Sequence, residues 1–494
     1  MSVSISLPLR LYVPGRSVSA PVHHAPETAR KTPRDLRRFV FPVLAVGAVF
    51  QAIMQTVMVP LLPSMPGFTG AGPTAVSWLV TSTLLVGAVM TPIFGRLADM
   101  IGKKRMLLVA FGLMTLGSLI CALTSEIGLL ILARGLQGAG AAVLPIGMAI
   151  LREVLPRESV DRSIAILSST LGIGTAVGIP FAAAIVQFAD WHLLFWATAA
   201  IGAGVAFGAW LVVPESKTRT GGRFDTVGAA GLSAALVCLL VPITQGSMWG
   251  WTSPAVLLTF GASVVLFALW GFQQLRNRNP LVDLRISARR SVLAPHLSAL
   301  LVGFAFYGNT LITTQLLQAS SAHGAGYDLT ILEAAACQLA ASFAMMIFAI
   351  VASRITERSG PKITIMAGAL FLLAGYAVHA VPGKPLWAVV VAIFVAAIGT
   401  SLVYCTLPVL LLGAVPLSQN AAANGVNVLL RTVGSTVCSA VVASVLAAYA
   451  LGGGSGIDTA GFVVAYLVCA GCAVVVFVSA FALPSRQSPR PVAD

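Results

Sequence analysis

Charge is what this sequence has least of. Only 9% of its 494 residues are Asp, Glu, Lys or Arg, where soluble domains carry about 25%. The 16 acids are the rarer sign, and none falls near the centre of an apolar run. With 57% hydrophobic residues, against about 45–50% in ordinary domains, a soluble globular chain is excluded. The seven cysteines (positions 121, 238, 337, 405, 438, 469 and 472) all lie inside apolar runs, so no loop disulfide framework is available. Cys469-x-x-Cys472 has no basic neighbour to lower a thiol pKa, and reads as small core residues rather than a redox or metal pair. Also missing are a Walker lysine loop, a His-Glu-x-x-His pair and a Gly-x-Ser-x-Gly elbow in a strand-turn-helix setting. No enzyme, nucleotide, cofactor or metal site is expected, and any transport must run on a gradient. Residues 1–38 are polar and basic with no apolar core of a secretory signal. They read as a disordered cytoplasmic tail in which His23-His24 has no further metal ligands.

What is present is a series of apolar runs, each near the ~20 residues that a membrane span needs. The expected spans are 39–63, 75–94, 106–124, 127–151, 163–187, 191–213, 225–245, 254–274, 291–317, 329–351, 362–381, 386–412, 424–449 and 460–483. Fourteen spans return both ends to one side. With the N-terminus inside, Lys384 is the only Lys or Arg outside, and Arg134 and Arg431 lie within spans. All others face the cytoplasm, as the positive-inside rule requires. The net charge of +14 is therefore an orientation signal in a lipid bilayer. It does not imply nucleic acid.

Between the second and third spans stands Gly95-Arg96-Leu97-Ala98-Asp99-Met100-Ile101-Gly102-Lys103-Lys104-Arg105, a charged island suited to a tight turn. Arg354-Ile355-Thr356-Glu357-Arg358-Ser359-Gly360-Pro361-Lys362 repeats it in part, with Arg and Gly at one constant offset. A loop repeated so far along the chain indicates two related halves. The first loop also resembles the signature loop of the major facilitator superfamily of transporters. If spans 2–3 correspond to 10–11, the halves are spans 1–6 and 9–14, with an inserted pair between. That arrangement is similar to the fourteen-helix drug/proton antiporter branch. The resemblance implies an all-α integral membrane fold of two six-helix bundles (39–213 and 291–483), two inserted helices with cytoplasmic linkers (214–290) and a cytoplasmic tail (484–494).

Further motifs carry the same resemblance. Leu132-Ala133-Arg134-Gly135-Leu136-Gln137-Gly138-Ala139-Gly140 is similar to the branch's buried-arginine motif. An Arg in mid-span costs at least ~2.5 kcal/mol on insertion scales, so it must face a cavity or a partner. The glycines here sit in a continuous apolar helix, which is no setting for a phosphate loop. Gly172, Gly174, Gly178 and Pro180 in the fifth span mark close helix packing and resemble the antiporter motif. The match is partial, since Phe181-Ala182-Ala183 follows where the family has a Gly-Gly pair. Arg431, within Asn424-Gly425-Val426-Asn427-Val428-Leu429-Leu430-Arg431, also has its like in the branch.

The resemblance implies a monomeric exporter in the bacterial inner membrane, both termini cytoplasmic. It would move small, largely apolar or cationic molecules by proton antiport with alternating access. In that scheme Asp99 lies against the far bundle and acts as a conformational switch, and Arg134 tunes the charge of the central cavity. Gln55, Gln318 and Arg431 offer polar contacts within the cavity. One departure bears on coupling. The first span holds Met54 where the branch places a proton-binding Asp, and Thr83 stands where a Tyr is frequent in the second. Glu333, one turn into the tenth span, remains as the candidate coupling acid; a helix-start charge is its other reading. The missing acid also leaves open an uncoupled or importing transporter, or a receptor or scaffold that no longer transports.

Overall fold

The computed structural model describes residues 38–483 apart from 59–60, 63–64, 217–218, 220–223, 278–279, 283, 289, 322–325, 416–419 and 450–456. Nearly all of the tail expected over 1–38, with His23-His24, and the whole of 484–494 lie outside the described residues. In order the helices are α1 (Val40–Thr56), the short α2 (Met65–Thr69), α3 (Pro73–Ile101), α4 (Lys103–Leu123), α5 (Ile127–Gly138), α6 (Val143–Val154), α7 (Arg157–Phe188) and α8 (His192–Val212). There follow α9 (Thr226–Trp249), α10 (Pro254–Arg276), the one-turn α11 (Leu284–Ser287), α12 (Arg290–Gln318), α13 (Ile331–Ser359), α14 (Pro361–His379), α15 (Leu386–Ala414), α16 (Asn420–Ala448) and α17 (Thr459–Ser479). In lipid an unpaired backbone group has no water to turn to, so long apolar runs become helices.

Thirteen helical segments among the described residues are long and apolar enough to cross a membrane, with Ile127–Val154 taken as one. α1 is equally apolar but only 17 residues long. Together they are the fourteen that the sequence leads one to expect. α1 ends at Thr56, short of the expected 63. The fourth span is not one α-helix either. It tightens to a 3-10 turn over Ala139–Ala142 between α5 and α6.

Both charged loops are built alike. Gly102 (φ +127°) ends α3 and starts α4, and Gly360 (φ +88°) ends α13 and starts α14. Each donates its N–H to the carbonyl four residues back, Ala98 and Thr356, at 3.1 Å. A side chain at such φ is strained, which is the physical reason the two loops share a glycine at that place.

One apolar core is made by α1 to α8, with Phe50, Met54, Phe111 and Phe195 fully enclosed. A second joins α12 and α14 to α17 around Tyr376, Tyr466 and Leu407. The N-terminal half (α1 to α8) meets the C-terminal half (α12 to α17) chiefly where α7 runs along α13 and α3 along α16. The inserted pair lies beside this seam. Leu232, Leu236 and Leu240 of α9 pack with Ala88 of α3 and with Leu429 and Val433 of α16, so α9 touches both halves. α10 packs on α9 and turns Leu257, Leu258, Val264 and Leu269 outward, as a lipid-facing helix should. The start of α9 is pinned by Asp225, which accepts from the Gly228 N–H (2.8 Å), Gln273 (3.0 Å) and Gln274 (2.6 Å).

Candidate functional site

Between the two halves lies a cavity of about 80 Å³. α1 contributes Gln51, Gln55 and Thr56, α3 contributes Val80 and Leu84, and Ala141 and Leu144 come from the broken fourth span. From the C-terminal half come Phe306 and Tyr307 on α12, Tyr404 on α15, and Arg431, Thr432 and Ser435 on α16. The lining is thus largely aliphatic and aromatic with amides and hydroxyls, and Arg431 is the single charged group among the described residues. Gln51 and Gln55 are four residues apart, so they share one face of α1. Arg431 is 5% exposed, with its guanidinium 4.7 Å from the Tyr404 ring centroid. The Tyr404 ring in turn lies 5.6 Å from that of Phe306. Nη1 of Arg431 is buried without a hydrogen-bond partner.

Arg134 does something different. It is wholly buried and is not among the residues lining the cavity. Nε donates to the Leu79 carbonyl and Nη1 to that of Met54, each at 3.1 Å. Nη1 also donates to Oε1 of Gln137, whose amide donates to Ser118 Oγ at 3.1 Å. Thr83 closes the group by donating to the Arg134 carbonyl at 3.1 Å. One guanidinium therefore ties α1, α3 and α5 together, and Gln137 extends the tie to α4. Gly138 lets α5 come this close to α3, since a Cβ there would stand 2.4 Å from the Thr83 carbonyl oxygen. Arg134, expected to adjust the cavity's charge, forms a clamp between helices. Where the resemblance asks for an acid at position 54, the structure offers Arg134 only the Met54 backbone carbonyl.

The fifth-span glycines lie at two interfaces. A Cβ on Gly174 would fall 2.3 Å from Ala52 Cβ, and one on Gly178 2.7 Å from Thr56 Oγ1, both on α1. One on Gly172 would meet Met345 of α13 at 2.6 Å, across the seam between halves. Pro180 sits inside α7 beyond them. The same small side chains thus hold α7 to its own half and let it contact the other.

The signature loop forms an ion cluster at the ends of α3 and α4. Lys103, 7% exposed, donates to Glu153 of α6 and lies 3.7 Å from Asp99. Ser216 donates to Glu153 Oε2 at 2.9 Å. Lys104 donates to the Trp210 carbonyl at 2.7 Å, and Arg105 lies 3.9 Å from Glu215. The charges facing Asp99 are Lys103, Arg96 and Glu153, all from the N-terminal half. No contact from Asp99 to the far half is seen among the described residues. Gly95 is buried beside this cluster.

Two further expectations take on definite places. Gln318 is half-buried at the end of α12 and is not among the cavity's lining residues. Glu333 is exposed and forms a capping box, accepting from the Thr330 N–H and hydroxyl at 2.8 Å while Thr330 Oγ1 accepts from the Glu333 N–H at 3.3 Å. The desolvation that a coupling role needs is absent there. Sequence reasoning did not reach Tyr404, Phe306 or Gln51. Gln51 alone left a signal, its spacing from Gln55.

Comparison with known proteins places this geometry. Residues 44–439 match the Major Facilitator Superfamily profile. The chain is 29% identical over 419 residues to Multidrug resistance protein Stp of Mycobacterium tuberculosis, covering 84% of this chain and 77% of that one. It is 27% identical over 453 residues to the Probable actinorhodin transporter of Streptomyces coelicolor, covering 87% and 77%. It is 29% identical over 258 residues to Putative multidrug resistance protein MdtD of Escherichia coli, covering 52% and 55%. Among solved structures, the human organic anion transporter MFSD10 (TETRAN) superposes with a TM-score of 0.64 at 13% identity, covering 91% of this chain and 100% of that one. That likeness concerns the fold. By the profile match over residues 44–439, carried by fourteen apolar helices among the described residues, the chain belongs to the Major Facilitator Superfamily of membrane transporters.

Proposed function

We propose that this chain exports small drug-like organic molecules across the bacterial inner membrane, alternating access to the cavity between its two halves. What supports this reading most is the place of that cavity. It lies at the seam, bounded by residues of α1 and α3 on one side and of α12, α15 and α16 on the other, so rocking one half against the other would expose it to either face. The Arg134 clamp would keep α1, α3, α4 and α5 moving as a body. Relatives named for multidrug resistance and for actinorhodin transport support export. The distribution of Lys and Arg supports an orientation with both termini in the cytoplasm. The lining favours neutral and aromatic molecules over cations, since Arg431 is its one charged group.

Proton antiport, which the resemblance implies, needs a titrating group in the pathway. Met54 stands at the usual site and Glu333 is exposed in its capping box. A carrier that runs without proton coupling is therefore a second reading. Whole-cell accumulation of a panel of dyes and antibiotics, with and without the gene and with nigericin to collapse the pH gradient alone, tests both. Lower accumulation that survives loss of the pH gradient supports export without proton coupling. Unchanged accumulation of every compound counts against export.

A further inference from the structure

Arg431 brings to the cavity a positive charge that no carboxylate faces among the described residues. Arg431 is 95% buried, as its 5% exposure states, and its Nη1 has no hydrogen-bond partner. The side chains facing the guanidinium are Tyr404 and Cys405, neither of them a carboxylate. The remaining polar groups of the lining are amides and hydroxyls, among them Gln51, Gln55, Thr432 and Ser435. Carboxylates near the seam lie at helix ends instead: Asp99 and Glu153 beside the signature loop, Glu333 in its capping box. The second buried arginine, Arg134, adds charge of the same sign. A buried charge without a partner is costly, and within a membrane such a group marks a substrate or ion pathway. A cation brought beside Arg431 would meet like charge in a medium that screens it poorly.

We propose that the cargo is an aromatic organic anion, whose acid group takes the free Nη1–H of Arg431 while its ring lies among Phe306, Tyr307 and Tyr404. This rests on the transport reading above and names the substrate class for the same cavity. A planar guanidinium with a free N–H suits carboxylate, sulfonate or phenolate oxygens. At about 80 Å³ the cavity holds only a few water molecules, against the ~300–1,000 Å³ of ligand sites. Cargo therefore enters when the halves part. The charge of the cargo also supplies the drive. An anion leaving a cell that is negative inside runs down the electrical gradient, a bias of roughly fiftyfold in concentration per 100 mV for one charge. Such a carrier needs no titrating acid on α1, in keeping with Met54 at that site.

The test uses the purified full chain in liposomes loaded with 1-naphthalenesulfonate or N-methylquinolinium, fluorescent bicyclic ions of similar size and fixed opposite charge. The pH is equal on both sides, and valinomycin with a potassium gradient sets the potential. The sulfonate should leave faster than from protein-free liposomes, and severalfold faster again when the interior is made negative. Arg431→Gln should slow sulfonate release by about tenfold or more, and Arg431→Lys should keep part of it. Each variant is first shown to be folded by thermal melting in detergent. Release of the quinolinium but not the sulfonate would overturn the anion assignment and leave the transport reading standing. Sulfonate release by folded Arg431→Gln at the wild-type rate would remove Arg431 from recognition. Release that ignores the potential would remove the electrical drive. If folded wild type releases neither ion, both the anion assignment and the transport reading fail.

Discussion

Replacing Arg134 with Lys separates charge from geometry at the centre of the N-terminal half. The guanidinium reaches three acceptors on three sides: the carbonyls of Leu79 and Met54 and the Gln137 amide oxygen. An ammonium on a flexible stem cannot span them, and two of the three contacts are lost. Hydrogen bonds to charged groups are worth about 1.5–3 kcal/mol each. In bilayers interhelical bonds average nearer 0.6 and reach about 1.7, because separated helices find other partners in lipid. The bilayer scale governs here, and Arg134→Lys should cost about 1–3 kcal/mol while still inserting. Thermal unfolding in detergent can be followed with a thiol-reactive dye, since Cys121, Cys405, Cys438 and Cys469 form no disulfide and are buried until the helices separate. The variant should melt earlier and transport more slowly, as α1 and α3 lose their common tie. If Arg134→Lys melts and transports as wild type does, the fork is not what holds these helices, and the clamp is wrong.

Gly174→Leu should prevent α1 and α7 from closing and cost at least about 1–3 kcal/mol, given the 2.3 Å approach to Ala52. Gly204→Ala on α8, where nothing lies within 4 Å, should raise the melting temperature by removing a helix-interior glycine; equal effects from the two would refute the packing account. Glu333→Ala should lower the melting temperature through loss of the capping box, whereas Glu333→Gln should leave both stability and transport nearly unchanged. Loss of pH-driven accumulation in Glu333→Gln would instead make Glu333 the coupling acid. In intact cells a cysteine at Ser320 should react with an impermeant thiol reagent and one at Ser359 should not, both positions being exposed. Labelling of both would overturn the span count.

The number of helices was legible in the chain. Lipid leaves a long apolar run no alternative to the helix, and the few charges must collect where water is. The turn glycines Gly102 and Gly360 were legible for a local reason too, their positive φ. The two mid-span arginines were not told apart. In sequence each is one guanidinium among apolar residues; in the fold Arg134 is held by backbone carbonyls and an amide with its unpaired Nη2 enclosed away from the cavity lining, and Arg431 lies against a ring with its unpaired Nη1 at the cavity. Which of the two meets the cavity depends on how each helix is rotated against its neighbours, and apolar faces of nearly uniform composition carry no record of that rotation. Tyr404 was overlooked for the same reason, whereas the helix-start reading of Glu333 is local and was legible beside the coupling one. Only the packing of α1, α3, α12, α15 and α16 around one seam decided that Arg431 would be the charge facing the cavity, because the neighbours of a side chain in a bundle come from helices far away in the chain.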